Sequence, residues 1–132
     1  MAFHCDVTKM YNSIRLEKES WCFQRYLFQK DLDPNEPTEE KLIPTVIYGV
    51  RSSGNQAQCG LRRTAEIHKD EFPEVYEIIC KDTYMDDCMA GEFSADNFQK
   101  RQDELESVLL SANLLLSGFT VSYTHLTLPT KA

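Results

Sequence analysis

Apolar and polar positions change period several times along this chain, and each change marks an element. Ala2-Phe3-His4-Cys5-Asp6-Val7 has the apolar density of a buried strand that ends at a carboxylate. Thr8 to Leu16 reads as a short helical or turning segment, and Trp21 to Gln29 as an aromatic-rich strand of imperfect alternation. Asp31-Leu32-Asp33-Pro34-Asn35-Glu36-Pro37 is a loop, since each proline lacks a backbone donor and disfavours helix at the residue before it. The β-branched bulk of Ile43, Val46 and Ile47 predicts a strand over 42–50. Ser52-Ser53-Gly54-Asn55 offers caps for a helix running to about Lys69, with Ala57, Leu61, Ala65 and Ile67 as its apolar stripe. A short helix is expected from Pro73 to Ile79. Lys81 to Met85, the aspartates and Cys88 to Ala90 then predict a strand, tight turn and strand, closed by Gly91. Ser94-Ala95-Asp96-Asn97 can cap a last helix, in which Phe98, Leu105, Val108, Leu109 and Ala112 recur at helical spacing. Strands and helices interleave without repeating as βαβ units, which predicts an α+β sheet with helices packed on one face.

The segment 121–132 departs from this logic. Tyr123 to Leu128 alternates as an edge strand does, yet the segment looks like translated adaptor or vector sequence, which is kept out of fold reasoning. The expected division is a body over 1–120 and a poorly packed tail over 121–132.

The 132 residues, 42% of them hydrophobic, suit one compact domain or part of one. No run reaches the ~20 apolar residues of a membrane span, and Met1 to Asp6 lacks the basic start and apolar middle of a signal peptide. The expectation is an intracellular, cytoplasmic protein with no membrane partner. Cys5, Cys22, Cys59, Cys80 and Cys88 are odd in number, scattered and never paired as Cys-x-x-Cys. That argues against a disulfide framework or a zinc site and leaves reduced, structural thiols. The net charge of −7 opposes a grip on a phosphate backbone, unless basic surfaces lie in a larger protein of which this is the acidic part.

Candidate chemistry centres on Tyr84-Met85-Asp86-Asp87. Adjacent carboxylates oppose each other's ionisation unless a cation neutralises them, although for a lone tetrapeptide an exposed acidic turn is the better explanation. Three further features stand in order with it. Asp6 ends the first strand with Tyr11 five residues on, Tyr48-Gly49-Val50-Arg51-Ser52-Ser53-Gly54-Asn55 joins a strand to a helix, and a helix with Glu104, Leu105 and Leu109 precedes Leu114-Leu115-Leu116-Ser117-Gly118-Phe119.

This order and spacing resembles the palm of a reverse transcriptase. More closely, Lys9-Met10-Tyr11-Asn12, Asp31-Leu32-Asp33-Pro34-Asn35, Ile47-Tyr48-Gly49-Val50, Ser53-Gly54-Asn55-Gln56-Ala57 and Phe72-Pro73-Glu74-Val75-Tyr76 look like the Pao or BEL class of long-terminal-repeat retrotransposons. The resemblance covers nearly all of 1–120. It implies a palm-like antiparallel sheet in which Asp6, Asp86, Asp87 and the Val7 carbonyl hold two Mg2+ ions, or Mn2+, as ligands and catalytic groups. Such ions prefer octahedral oxygen sets and stabilise the attacking and leaving oxygens of an in-line displacement. It also implies that Tyr11 lies under the incoming sugar and excludes a ribose 2′-hydroxyl, with a half-buried core aromatic as the plain alternative. Gly49 would let backbone approach nucleotide and template, or simply make a tight turn. Arg51 would contact phosphate, or simply be exposed at a helix entry.

The implied partners are an RNA or DNA template, a primer and deoxynucleoside triphosphates. The same resemblance places such a protein in the cytoplasm or in virus-like particles. Two positions depart from the pattern: Tyr48 stands where the family often has Gln, and Ser117 where relatives tend to carry a Lys suited to protonating pyrophosphate. The fingers, thumb and RNase H regions of the family have no counterpart here, so the fragment is expected to be inactive alone. The rival expectation is a non-catalytic, acidic interaction module that retains the palm fold.

Overall fold

The computed structural model describes residues 2–91 and 95–122. Its centre is a four-stranded, wholly antiparallel sheet built from β1 (Ala2–Thr8), β4 (Thr83–Tyr84), β5 (Asp87–Gly91) and β6 (Leu115–Ser122), in the order β4-β5-β1-β6. Alternation along β1 divides the faces: Phe3, Cys5 and Val7 are buried, while Ala2, His4, Asp6 and Thr8 point the other way. The buried set meets the helices α2 (Ser53–Ile67), α3 (Pro73–Lys81) and α4 (Ala95–Ser111). Their inward residues Ala57, Leu61 and Ala65, Val75, Ile78 and Ile79, and Leu105, Val108 and Leu109 form one core with Phe3, Cys5, Val7, Cys88 and Ala90. The chain is therefore a mixed α+β fold with its helices against one face of the sheet.

Local chemistry explains most boundaries. Pro73 opens α3 at its first turn, where a missing N–H costs nothing. The caps expected for α2 act differently: Ser52 makes no side-chain cap, and the buried Ser53 hydroxyl instead donates to the Ile47 carbonyl at 2.6 Å. The short helix α1 (Met10–Ser13) follows Lys9, whose φ of 51° turns the chain out of β1. Of the cap expected for α4, Ser94 lies outside the described residues.

Two expected strands are corrected. Trp21 belongs to a 3₁₀ turn over Lys18–Phe23, and only β2 (Arg25–Phe28) of the 21–29 segment is strand. Its partner β3 is Glu39–Leu42, ahead of the 42–50 segment. Pro44 supplies no ladder donor, and beyond it Thr45 makes a single bridge to Arg15. Val46 N–H donates to the Ile14 carbonyl, so the β-branched residues anchor α1 instead of a sheet. The β2–β3 ribbon stands apart from the main sheet, with Leu27 75% exposed.

β6 carries a bulge beside Asp6. His4 pairs with Thr120 but Asp6 with Ser117, so three steps on β6 oppose two on β1. Gly118 supplies the positive φ, +69°, that such a bulge requires. β6 also continues through Val121 and Ser122, which pair with Phe3 and Ala2. Two residues of the segment set apart as a tail thus belong to the sheet, and 123–132 lie outside the described residues.

Candidate metal centre

The hairpin from β4 to β5 turns on Met85 and Asp86, with Tyr84 and Asp87 as the closing pair. Met85 takes a φ of 56°, a left-handed conformation that non-glycine residues rarely adopt and that clusters at functional turns. Packing accounts for its tolerance here. The Met85 methyl lies close to Gly54 at the start of α2, where an added Cβ would meet it at 3.2 Å and the Tyr11 hydroxyl at 3.7 Å. Gln58, one helical turn on, donates weakly to the Met85 sulfur at 3.8 Å.

The turn is bound to β1 at the residue after Asp6. Val7 N–H donates to the Asp86 carbonyl at 2.8 Å, and Asp6 and Asp87 are direct cross-strand partners. Each of Asp6, Asp86 and Asp87 therefore offers an oxygen, and the three lie within 4.8 Å of one another. Octahedral Mg2+ binds oxygen at 2.0–2.1 Å, so two ligands of one ion lie about 3 to 4 Å apart. The all-oxygen donor set is the kind that suits Mg2+ or Mn2+.

Electrostatics point the same way. Burial raises the pKa of Asp6 above its ordinary value of 3.8, the charges of Asp86 and Asp87 raise it further, and His4 opposes the shift. Asp6 therefore resists ionisation beside its two acidic neighbours, a condition that a bound cation would relieve.

His4 was not singled out by sequence. Its Nε2 lies 2.9 Å from Asp87 Oδ1. The signal was present in the alternation, since a residue two before Asp6 on a strand shares its face. Gly54 and Met85 were quoted only as parts of motifs, and their contact becomes visible only when α2 packs against the turn. Behind the carboxylates, on the core face, Cys5 and Cys88 are direct partners and both are buried. Hydrogen bonding to Cys88 together with burial pushes the Cys5 thiol far above its ordinary range, while the bond from Cys5 draws Cys88 down. Both are free thiols.

The other sequence candidates lie at graded distances from this cluster. Tyr11 is partly buried against the core, with its ring 4.5 Å from that of Tyr48 and its hydroxyl beside Gly54. Val7 is buried, and its N–H is committed to the turn. Gly49 sits in an open turn at φ +86°. Arg51 is exposed and forms no ion pair with any described residue. No hydrogen bond or ion pair among the described residues joins Gly49 or Arg51 to the carboxylates. Ser117 stands opposite Asp6, its hydroxyl bonded to that of Thr8 at 2.5 Å.

No protein-family model matches this chain, and no curated protein does. Among the described residues, no helix is long and apolar enough to cross a membrane.

Proposed function

We propose that this chain is the catalytic palm of an RNA-directed DNA polymerase of the Pao or BEL retrotransposon class. The observation that carries it is the convergence of Asp6 with Asp86 and Asp87, eighty residues apart in sequence, within 4.8 Å. The motif order along the chain supports the same conclusion.

Bound Mg2+ or Mn2+ supplies charge neutralisation for the attacking and leaving oxygens of phosphoryl transfer. Asp6, Asp86 and Asp87 are the residues that hold the ions, with the Val7 backbone as the proposed carbonyl ligand. No side-chain nucleophile is needed, because the primer 3′-hydroxyl attacks. Tyr11 and Met85 form the floor over Gly54, where the Tyr11 ring opposes a ribose 2′-hydroxyl by bulk. Arg51 is free to meet phosphate. The Ser117 hydroxyl is a poor acid, so it does not replace a lysine in protonating pyrophosphate.

A net charge of −7 favours the second proposal, an acidic interaction module on the same fold. Mn2+ titration separates the two. Saturable binding that is lost in an Asp86→Asn, Asp87→Asn double variant supports the polymerase, and absence of binding at millimolar Mn2+ supports the module.

A further inference from the structure

The cross-strand register places His4 and Asp87 diagonally on one face of the sheet, because Asp6 is the direct partner of Asp87 and His4 that of Met89. Diagonal neighbours are within reach of long or aromatic side chains. The imidazole makes that reach, with Nε2 at 2.9 Å from Asp87 Oδ1 and the two side chains 43% and 50% exposed. A carboxylate only accepts, so Nε2 carries the hydrogen and donates it. Asp87 would otherwise have good reason to turn away, because its side chain is half exposed and the charges of Asp6 and Asp86 repel it. The bond holds it inward and leaves Oδ2 and one lone pair of Oδ1 for a cation.

We propose that His4 is a positioning residue of the carboxylate centre, presetting Asp87 in the geometry that receives a divalent cation. The proposal rests on the metal-centre assignment of Asp6, Asp86 and Asp87. Two effects of the bond oppose each other. Donation to Oδ1 withdraws some charge from the ligand, which weakens its attraction for a cation, while fixing the rotamer removes an ordering cost from binding. Loss of such outer partners typically lowers metal affinity 10–100-fold, so presetting is the larger effect.

The test compares wild type, His4→Leu and His4→Gln in the full 132-residue chain, titrated with Mn2+ and followed by the electron spin resonance of the free ion. Glutamine keeps an N–H donor at similar reach, and leucine keeps bulk alone. The expected result is an affinity loss of about tenfold or more in His4→Leu, recovered mostly in His4→Gln, with unchanged melting temperatures in EDTA. Equal affinity for wild type and His4→Leu overturns the positioning role and leaves the metal centre standing. Equal loss in both variants, with lowered melting in EDTA, makes His4 merely structural and also overturns it. No Mn2+ binding by wild type overturns both proposals. Should His4→Leu not fold, nitrogen NMR of wild type decides: a Nε2–H signal that shifts on Mg2+ addition is expected, and one that stays fixed sinks the idea.

Discussion

At the scale of single residues, Asp6, Asp86 and Asp87 bring like charges within 4.8 Å of one another, which costs the fold stability while all are ionised. Asp86→Asn with Asp87→Asn should therefore raise the melting temperature in EDTA, by relieving repulsion around Asp6, and should abolish any rise produced by Mg2+. A differential scanning measurement with and without the ion checks both halves, and a double variant still stabilised by Mg2+ removes these residues from the site. Asp6 adds a pH dependence of definite sign. Its pKa is raised in the folded chain, first by burial and then by Asp86 and Asp87, so folding favours its protonated form. That contribution is complete below the ordinary value of 3.8 and is lost as pH rises through the higher folded value. In EDTA, wild type should lose stability relative to Asp6→Asn across this window. Mg2+ stabilisation should grow over the same window, since protons and cations compete for one carboxylate. Chemical denaturation at stepped pH reads both slopes. These residues could be proposed from sequence because the resemblance to a reverse-transcriptase palm pointed to them. His4 could not, because a histidine on a strand acquires a role only from the residue diagonal to it on another strand.

Among the elements, β6 shows how one residue shapes the site. Gly118 holds φ at +69° and lets β6 gain a residue beside Asp6, and no Cβ neighbour would clash there. Gly118→Ala should then destabilise by about 1–2 kcal/mol from the left-handed backbone alone. The predicted outcome is a lower urea midpoint with unchanged slope; an unchanged midpoint means the bulge does not need the glycine. The 42–50 segment teaches the opposite lesson. Its β-branched residues have strand propensity, but Pro44 removes a donor and Ile14 offers Val46 a carbonyl elsewhere, so tertiary context overrode propensity. In the helices the stripes were legible, because burial on a 3.6-residue period leaves a mark in sequence that survives without knowledge of the partner face. Leu105, fully buried on α4, tests that packing: Leu105→Ala should cost about 2–5 kcal/mol, and a loss below 1 kcal/mol would mean that α4 packs loosely.

For the molecule as a whole, charge governs what the chain can do alone. Fourteen basic residues against 21 acidic leave it at −7, and the sheet face around Asp6 and Asp87 repels a phosphate backbone. Primer extension by residues 1–122 with Mg2+ or Mn2+ should therefore stay at the level of an Asp86→Asn, Asp87→Asn control, and primer–template binding should weaken further as salt rises. Extension above the control would show that this acidic body positions both substrates unaided. The core faces of the helices and the acidic hairpin were determined by the sequence alone, since each follows from local periodicity and side-chain chemistry, whereas β1 runs past the end expected at Asp6 because Val7 and Thr8 go on pairing with β6. The placement of β6 beside β1, the bulge at Gly118, the Met85 contact over Gly54 and the His4–Asp87 bond were decided only by the tertiary structure. They join residues that are remote along the chain, and nothing in local propensity encodes which strands become neighbours or in what register.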